Sequence, residues 1–132
     1  MSKTGSALLF FVLLLWVASA VAQSPGAGTL KLNPVAATSG KGVSNASLLD
    51  RPEVRVLRVD VEPGGVRNVH THDDTQFHLF IPVSGNPQLE IEPNAPVDLV
   101  PWQAQFVKGG TRHGFKNPGA TTASVIEVFV KK

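Results

Sequence analysis

From residue 54 onward the chain is interrupted every few residues by Gly, Pro, Asn or Asp, and this punctuation limits the fold more than any other feature. Between the breaks lie segments 54–62, 67–72, 76–84, 88–92, 103–108, 112–117 and 124–130. The breaks themselves include Pro63-Gly64-Gly65, Asp73-Asp74, Gly85-Asn86-Pro87, Gly109-Gly110 and Pro118-Gly119. Several segments are rich in β-branched residues, and 88–92 alternates cleanly. There Leu89 and Ile91 take one face, while Gln88, Glu90 and Glu92 take the other. No segment sustains a 3.6-residue periodicity between caps, and no internal repeat is evident. Seven short strands bounded by turn residues predict an all-β fold, a sandwich or a small antiparallel barrel.

A chain of 132 residues is one domain. Its first stretch reads as separate from that domain. Lys3 makes a short basic start, residues 7–18 are uninterruptedly apolar, and Ala20-Val21-Ala22 supplies a small-x-small cleavage pattern. Residues 1–22 are therefore expected to be a signal peptide, cut after Ala22. The apolar run is short of the roughly 20 residues a bilayer span needs, so no stable membrane anchor is expected after cleavage. The protein is expected to be exported, periplasmic or secreted. The stretch 23–50 reads as a flexible linker: 23–28 is Pro, Gly, Ser and Ala, 29–32 is a candidate short strand, and 34–50 is small, polar loop with room for one edge strand. The barrel domain is expected to occupy 51–132.

There is no cysteine, which excludes disulfides, thiolate metal sites and lipid attachment through Cys. The formal net charge is +2, but Lys and Arg are scattered with no run that would track a phosphate backbone, so nucleic acid is not an expected partner.

All four histidines lie within these strands: His70, His72, His78 and His113. Side chains on a strand alternate faces, so His70 and His72 point the same way, close enough for one ion. On the next strand Gln76 and His78 share a face, and antiparallel pairing with the first strand would bring that face to the same side. His113 follows Gly109-Gly110, where a glycine pair lets the backbone turn sharply. Any one of these residues alone would be an ordinary surface or core histidine. Two on one face of one strand would each need a hydrogen-bond partner if buried without an ion, since an unpaired buried polar group costs about 1–3 kcal/mol. A metal site with imidazoles as its ligands follows.

Two stretches carry a resemblance to a known family. Gly64, five intervening residues, His70-Thr71-His72 and then a strand closing at Gly85 resemble the first cupin motif. The run from Gly110 through His113 to Asn117 resembles the second, with its Gly, His and Asn in register. The motifs and their connecting strands cover most of 54–130. The resemblance implies a small antiparallel β-barrel of the jelly-roll type, with His70, His72 and His113 in the places of three metal ligands. The family's remaining ligand is usually a Glu shortly after the His-x-His pair, and no Glu stands between Glu62 and Glu90. Counting forward from His72 puts Gln76 there. Counting back from Gly85 puts His78 there, and imidazole is the better ligand for borderline first-row cations. His78 is the preferred fourth ligand, with Gln76 as its substitute. Lys108 also departs from the pattern, standing where a Pro is common.

This donor set suits one divalent first-row transition metal: Fe, Mn, Ni, Cu or Zn. With a neutral ligand in place of the carboxylate, the ion should attract anionic or enolate-like oxygen donors and act as a Lewis acid. Phe80, Phe106 and Phe115 are candidate pocket walls, and Trp102 a lid or a core residue. Asp73 and Asp74 are the nearest candidate base, although a solvated turn is the default for such a pair. The resemblance implies a small-molecule ligand or substrate and a homodimer. Three functions are weighed: a metal-dependent enzyme of oxygenase, decarboxylase or isomerase type, a non-catalytic metal- or ligand-binding module of the cell envelope, and a scaffold whose metal is purely structural.

Overall fold

The computed structural model describes residues 30–132, and every regular element in that span is a β-strand. The leader read in 1–22 and the linker segment 23–28 lie outside the described residues. The strands are β1 (Asn33–Pro34), β2 (Gly40–Asp50), β3 (Val54–His70), β4 (Thr75–Ser84), β5 (Gln88–Ile91), β6 (Val97–Asp98), β7 (Gln105–Lys108), β8 (His113–Lys116) and β9 (Ala123–Lys131). All pair antiparallel in the order β6-β5-β8-β3-β9-β4-β7, with β2 also on β3 and β1 on β2. The expected all-β antiparallel architecture is the observed one.

β3 is longer than any segment read from the sequence, because the break at Pro63-Gly64-Gly65 bends the strand without ending it. The Gly64 amide donates to the Asn117 carbonyl (2.9 Å), and the Asn117 amide to that of Gly65 (3.0 Å), so pairing continues through the bend. Before the bend β3 pairs with β9, from Val54↔Val130 to Val61↔Ala123. After it β3 pairs with β8, ending at His70↔His113. One strand thus changes neighbours midway, which curls the sheet.

The stretch 34–50, read as loop with room for one edge strand, is mostly strand. β2 lies along β3 from Asp50↔Arg55 to Gly40↔Arg67, with register shifts between Lys41 and Val43 and between Ser47 and Leu49. Gly40 through Ser47 lack the alternation that marks a strand, and β3 supplies the partner that local propensity does not. Leu30–Leu32, within the candidate strand 29–32, are outside the strands; the short bridge falls at Asn33–Pro34 instead.

Directly paired residues project to the same face. Two interior rows result. Arg55, Phe129, His78 and Val107 form one across β3, β9, β4 and β7, and Leu57, Glu127, Phe80 and Gln105 form the next. The rows are two residues apart, or about 6.6–6.8 Å along each strand. Phe80 and Val107 of these rows join Leu89, Leu99, Phe115 and Val125 in one apolar cluster, and a second cluster gathers Val43, Val59 and Val61.

Candidate metal centre

The interior rows meet the two histidine-bearing segments at one end of the curled sheet. His70 is the last residue of β3 and pairs with His113, the first of β8. His72 lies just past the end of β3 rather than within it, where its carbonyl accepts from the Gly110 amide (3.3 Å). The expected same-side placement nevertheless holds: the Nε2 atoms of His70 and His72 are 3.1 Å apart. The ligating atoms of His70, His72 and His113 all lie within 4.8 Å of one another.

His78 reaches this cluster by a route different from the one expected. β4 does not pair with the strand that carries His70; β9 lies between them. His78 sits opposite Phe129 of β9 and stacks on its ring, with centroids 4.1 Å apart. From there its ring centre is 4.9 Å from that of His113 and 5.3 Å from that of His72. Gln76, its substitute, is exposed on β4, where a register shift between Thr75 and Phe77 breaks the expected parity with His78.

Backbone carbonyls orient two of the rings. The Nδ1 atoms of His70 and His113 lie 2.8 Å from the carbonyls of Asn68 and Thr111. A carbonyl only accepts, so each Nδ1 carries its hydrogen and each Nε2 keeps a lone pair for the interior. Two nitrogens each about 2.0–2.1 Å from one ion lie about 3 Å apart, matching the His70–His72 separation. A hydrogen bond between those two rings accounts for the same distance. It does not account for His113, whose Nε2 is buried without a partner, an arrangement that costs about 1–3 kcal/mol. The residues therefore fit a metal ion.

Electrostatics point the same way. Burial pushes His72 and His78 down to about 3 and His113 to about 4, with neighbouring imidazoles adding to each shift. His70 is also lowered, again chiefly by burial. Four neutral imidazoles at neutral pH are in the form that binds metals.

Three interior residues were not identified from the sequence: Glu127, Phe129 and Arg55. Glu127 is an interior carboxylate carried by the last strand. Its Oε2 lies 3.2 Å from His78 Nε2, without the alignment of a hydrogen bond, and the side chain is almost wholly buried. Desolvation raises its pKa to about 7 against the pull of His113, His70, Arg67 and Arg55. Phe129 carries His78 on its face, sets its edge against His72 (4.8 Å) and lies 4.4 Å from the Arg55 guanidinium carbon. The only available signal was parity, since Val125, Glu127 and Phe129 alternate. Ile126, Val128 and Val130 between them are equally apolar, so neither face stood out.

Among the expected walls, Phe80 and Phe115 are fully buried, and Phe80 lies 4.0 Å from His78 and 5.3 Å from His113 between ring centres. Phe106 is not a wall. It faces outward, 54% exposed, against Phe77. Trp102 is not core: it is 74% exposed, and its amide donates to the Pro82 carbonyl. Asp73 and Asp74 are exposed. Arg112, next to His113, turns outward to Glu92 (2.6 Å).

The fold and the site together define a small antiparallel β-barrel with a cluster of neutral imidazoles and one buried carboxylate inside it. The chain belongs to the cupin family: residues 57–129 match the family described as "Cupin domain". Comparison with curated proteins finds no match. Among solved structures, the chain is similar to a predicted oxalate decarboxylase from Thermotoga maritima, at 21% identity and a TM-score of 0.71, covering 79% of this chain and 95% of that one. It is similar to the polyketide cyclase RemF from Streptomyces resistomycificus, at 20% identity and a TM-score of 0.69, covering 79% and 75%. It is also similar to KdgF from a Halomonas species, at 20% identity and a TM-score of 0.66, covering 77% and 88%. At these identities the likeness is one of fold.

Proposed function

We propose that this protein is a metal-dependent enzyme acting on a small organic molecule, with His70, His72, His78 and His113 holding one divalent first-row metal ion. The observation that carries the enzyme reading is Glu127, an interior carboxylate beside the imidazoles. An enzyme of this kind needs a group to hold or move a proton next to the ion, and burial brings Glu127 near neutrality, where it can do either. Bound metal supplies Lewis acidity toward a substrate oxygen. Phe80 and Phe129 exclude water from one side of the site, and the Asn68 and Thr111 carbonyls hold two of the imidazoles in place. His78 is preferred to Gln76 as the fourth ligand, because its buried ring stands 4.9 Å from that of His113, beside the group of His70, His72 and His113, while Gln76 is exposed.

A non-catalytic binding module would have the metal coordinatively filled by Gln76 together with His78, or the pocket plugged by Phe80 and Phe115; the exposure of Gln76 disfavours the first form, and the burial of both rings fits the second. The similar structures described as a polyketide cyclase and a predicted oxalate decarboxylase support small organic substrates. We propose that the protein works outside the cytoplasm, on the leader pattern in 1–22; a mature N-terminus at Gln23, read by intact mass, tests this.

The decisive experiment is elemental mass spectrometry on protein purified without a metal-binding tag, beside His70→Ala and His113→Ala. Near one equivalent of metal in the native chain and little in either variant is the expected result. A folded chain that takes up no metal on titration would refute the centre. With metal established, turnover of small enolisable acids and ketones should disappear in Glu127→Gln while metal content stays.

A further inference from the structure

The row that holds His78 also holds Arg55. Register places Arg55, Phe129 and His78 side by side on adjacent strands with their side chains on the inner face. The guanidinium carbon lies 4.4 Å from the centre of the Phe129 ring, which in turn carries His78 on its face and His72 at its edge. Arg55 is therefore one aromatic ring away from the imidazole cluster.

No carboxylate among the described residues pairs with this cation. Asp50, opposite Arg55 on β2, gives its carboxylate to Lys131 Nζ at 2.6 Å. Glu127, one row deeper, has its oxygen beside His78. The other interior cation, Arg67, is tied to the Ser39 carbonyl at 2.7 Å. Arg55 Nε is buried and has no hydrogen-bond partner. Contact with one aromatic face satisfies none of the guanidinium's N–H donors. A planar fork of donors beside a metal site, with no protein acid of its own, is complementary to a carboxylate from outside.

We propose that Arg55 is the anchor for a carboxylate group on the substrate, so that this site takes a small organic anion with its charged end on Arg55 and the remainder against the imidazoles. This deepens the proposed function and rests on the interior being a substrate site. The anchor itself does not require the metal, and the test separates the two.

The full chain, with zinc content read by elemental mass spectrometry, is titrated calorimetrically with pyruvate and benzoate and with the neutral benzamide. At least one carboxylate should bind, with benzamide at least about tenfold weaker than benzoate. Arg55→Gln should weaken carboxylate binding about tenfold or more while zinc content is retained. Arg55→Lys, which keeps the charge and loses the fork, should fall between the two and serves where Arg55→Gln does not fold. Carboxylate binding that is absent from the native chain, indifferent to both substitutions, or matched by benzamide overturns the inference. Arg55-dependent binding in a chain that takes up no zinc would leave the anchor standing and remove the metal reading.

Discussion

At the scale of single residues, Glu127 shows most clearly how burial sets chemistry. The same carboxyl in solvent would titrate near 4.5; inside the barrel it does so at about 7. Between those values the folded protein holds a proton that the unfolded chain has released, so this group subtracts stability as pH rises from 4.5 through 7. A neutral isostere removes that loss. In the metal-free protein, Glu127→Gln should melt higher than the native chain at pH 8, with the difference shrinking toward pH 4.5. Equal differences in melting temperature at both pH values would show that Glu127 is not desolvated as described. His113 is governed by the same physics from the other side: burial keeps it neutral, and the Thr111 carbonyl fixes which nitrogen is available.

Among the elements, the turn into β8 decides whether His113 reaches the site at all. Both glycines of the turn, Gly109 and Gly110, are needed, for unlike reasons. A Cβ on Gly109 would overlap the carbonyl of Thr75, and the Gly109 amide already bonds to Gln76. Gly110 has open space around it but a φ of +79°, which L-residues adopt only at a cost. Gly110→Ala should therefore cost about 1–2 kcal/mol. Gly109→Ala should cost about 1–3 kcal/mol or more, because β4 and the turn must move apart. Denaturant unfolding of the two variants checks the order, and a larger loss for Gly110→Ala would contradict it. Asn117, the second motif's last residue, is likewise structural: its side-chain amide donates to the carbonyls of Val61 and Thr121, and its oxygen accepts from the Gly119 amide. It braces the bend of β3 without touching the histidines.

For the whole molecule, the interior titrates as a set. His72, His78 and His113 have folded-state values of about 3, 3 and 4 against 6.5 when unfolded. Below pH 6.5 the unfolded chain takes up protons that the folded one refuses, so stability falls as pH drops through that window. Glu127 acts oppositely between 4.5 and 7, but it is one group against three. The metal-free protein should therefore lose melting temperature steadily from pH 6.5 to pH 4. A flat profile over that range would mean that the rings are solvated rather than buried. A saturating metal that binds only the folded state should raise stability by about 2.7 kcal/mol at a hundredfold excess over its Kd, and the gain should vanish on acidification as protons compete for the same nitrogens.

The strand-and-turn pattern, the clustering of His70, His72 and His113 and the antiparallel barrel were all legible in the sequence. Alternation, turn residues and His-x-His spacing are local properties that a linear reading can register. What the sequence left open depends on register across the sheet. β2 has no alternation of its own and exists because β3 gives its backbone a partner. His78 and Gln76 were separated only when a register shift in β4 turned Gln76 outward, and His78 reaches the cluster through Phe129 of β9, a strand from the other end of the chain. Glu127 and Arg55 lie in segments apolar on both faces or far from either motif, and nothing in their neighbours marks them as interior. Local chemistry determined that this chain would bring imidazoles together; tertiary pairing decided which carboxylate and which cation would stand beside them, because strand neighbours are chosen by the fold and not by sequence distance.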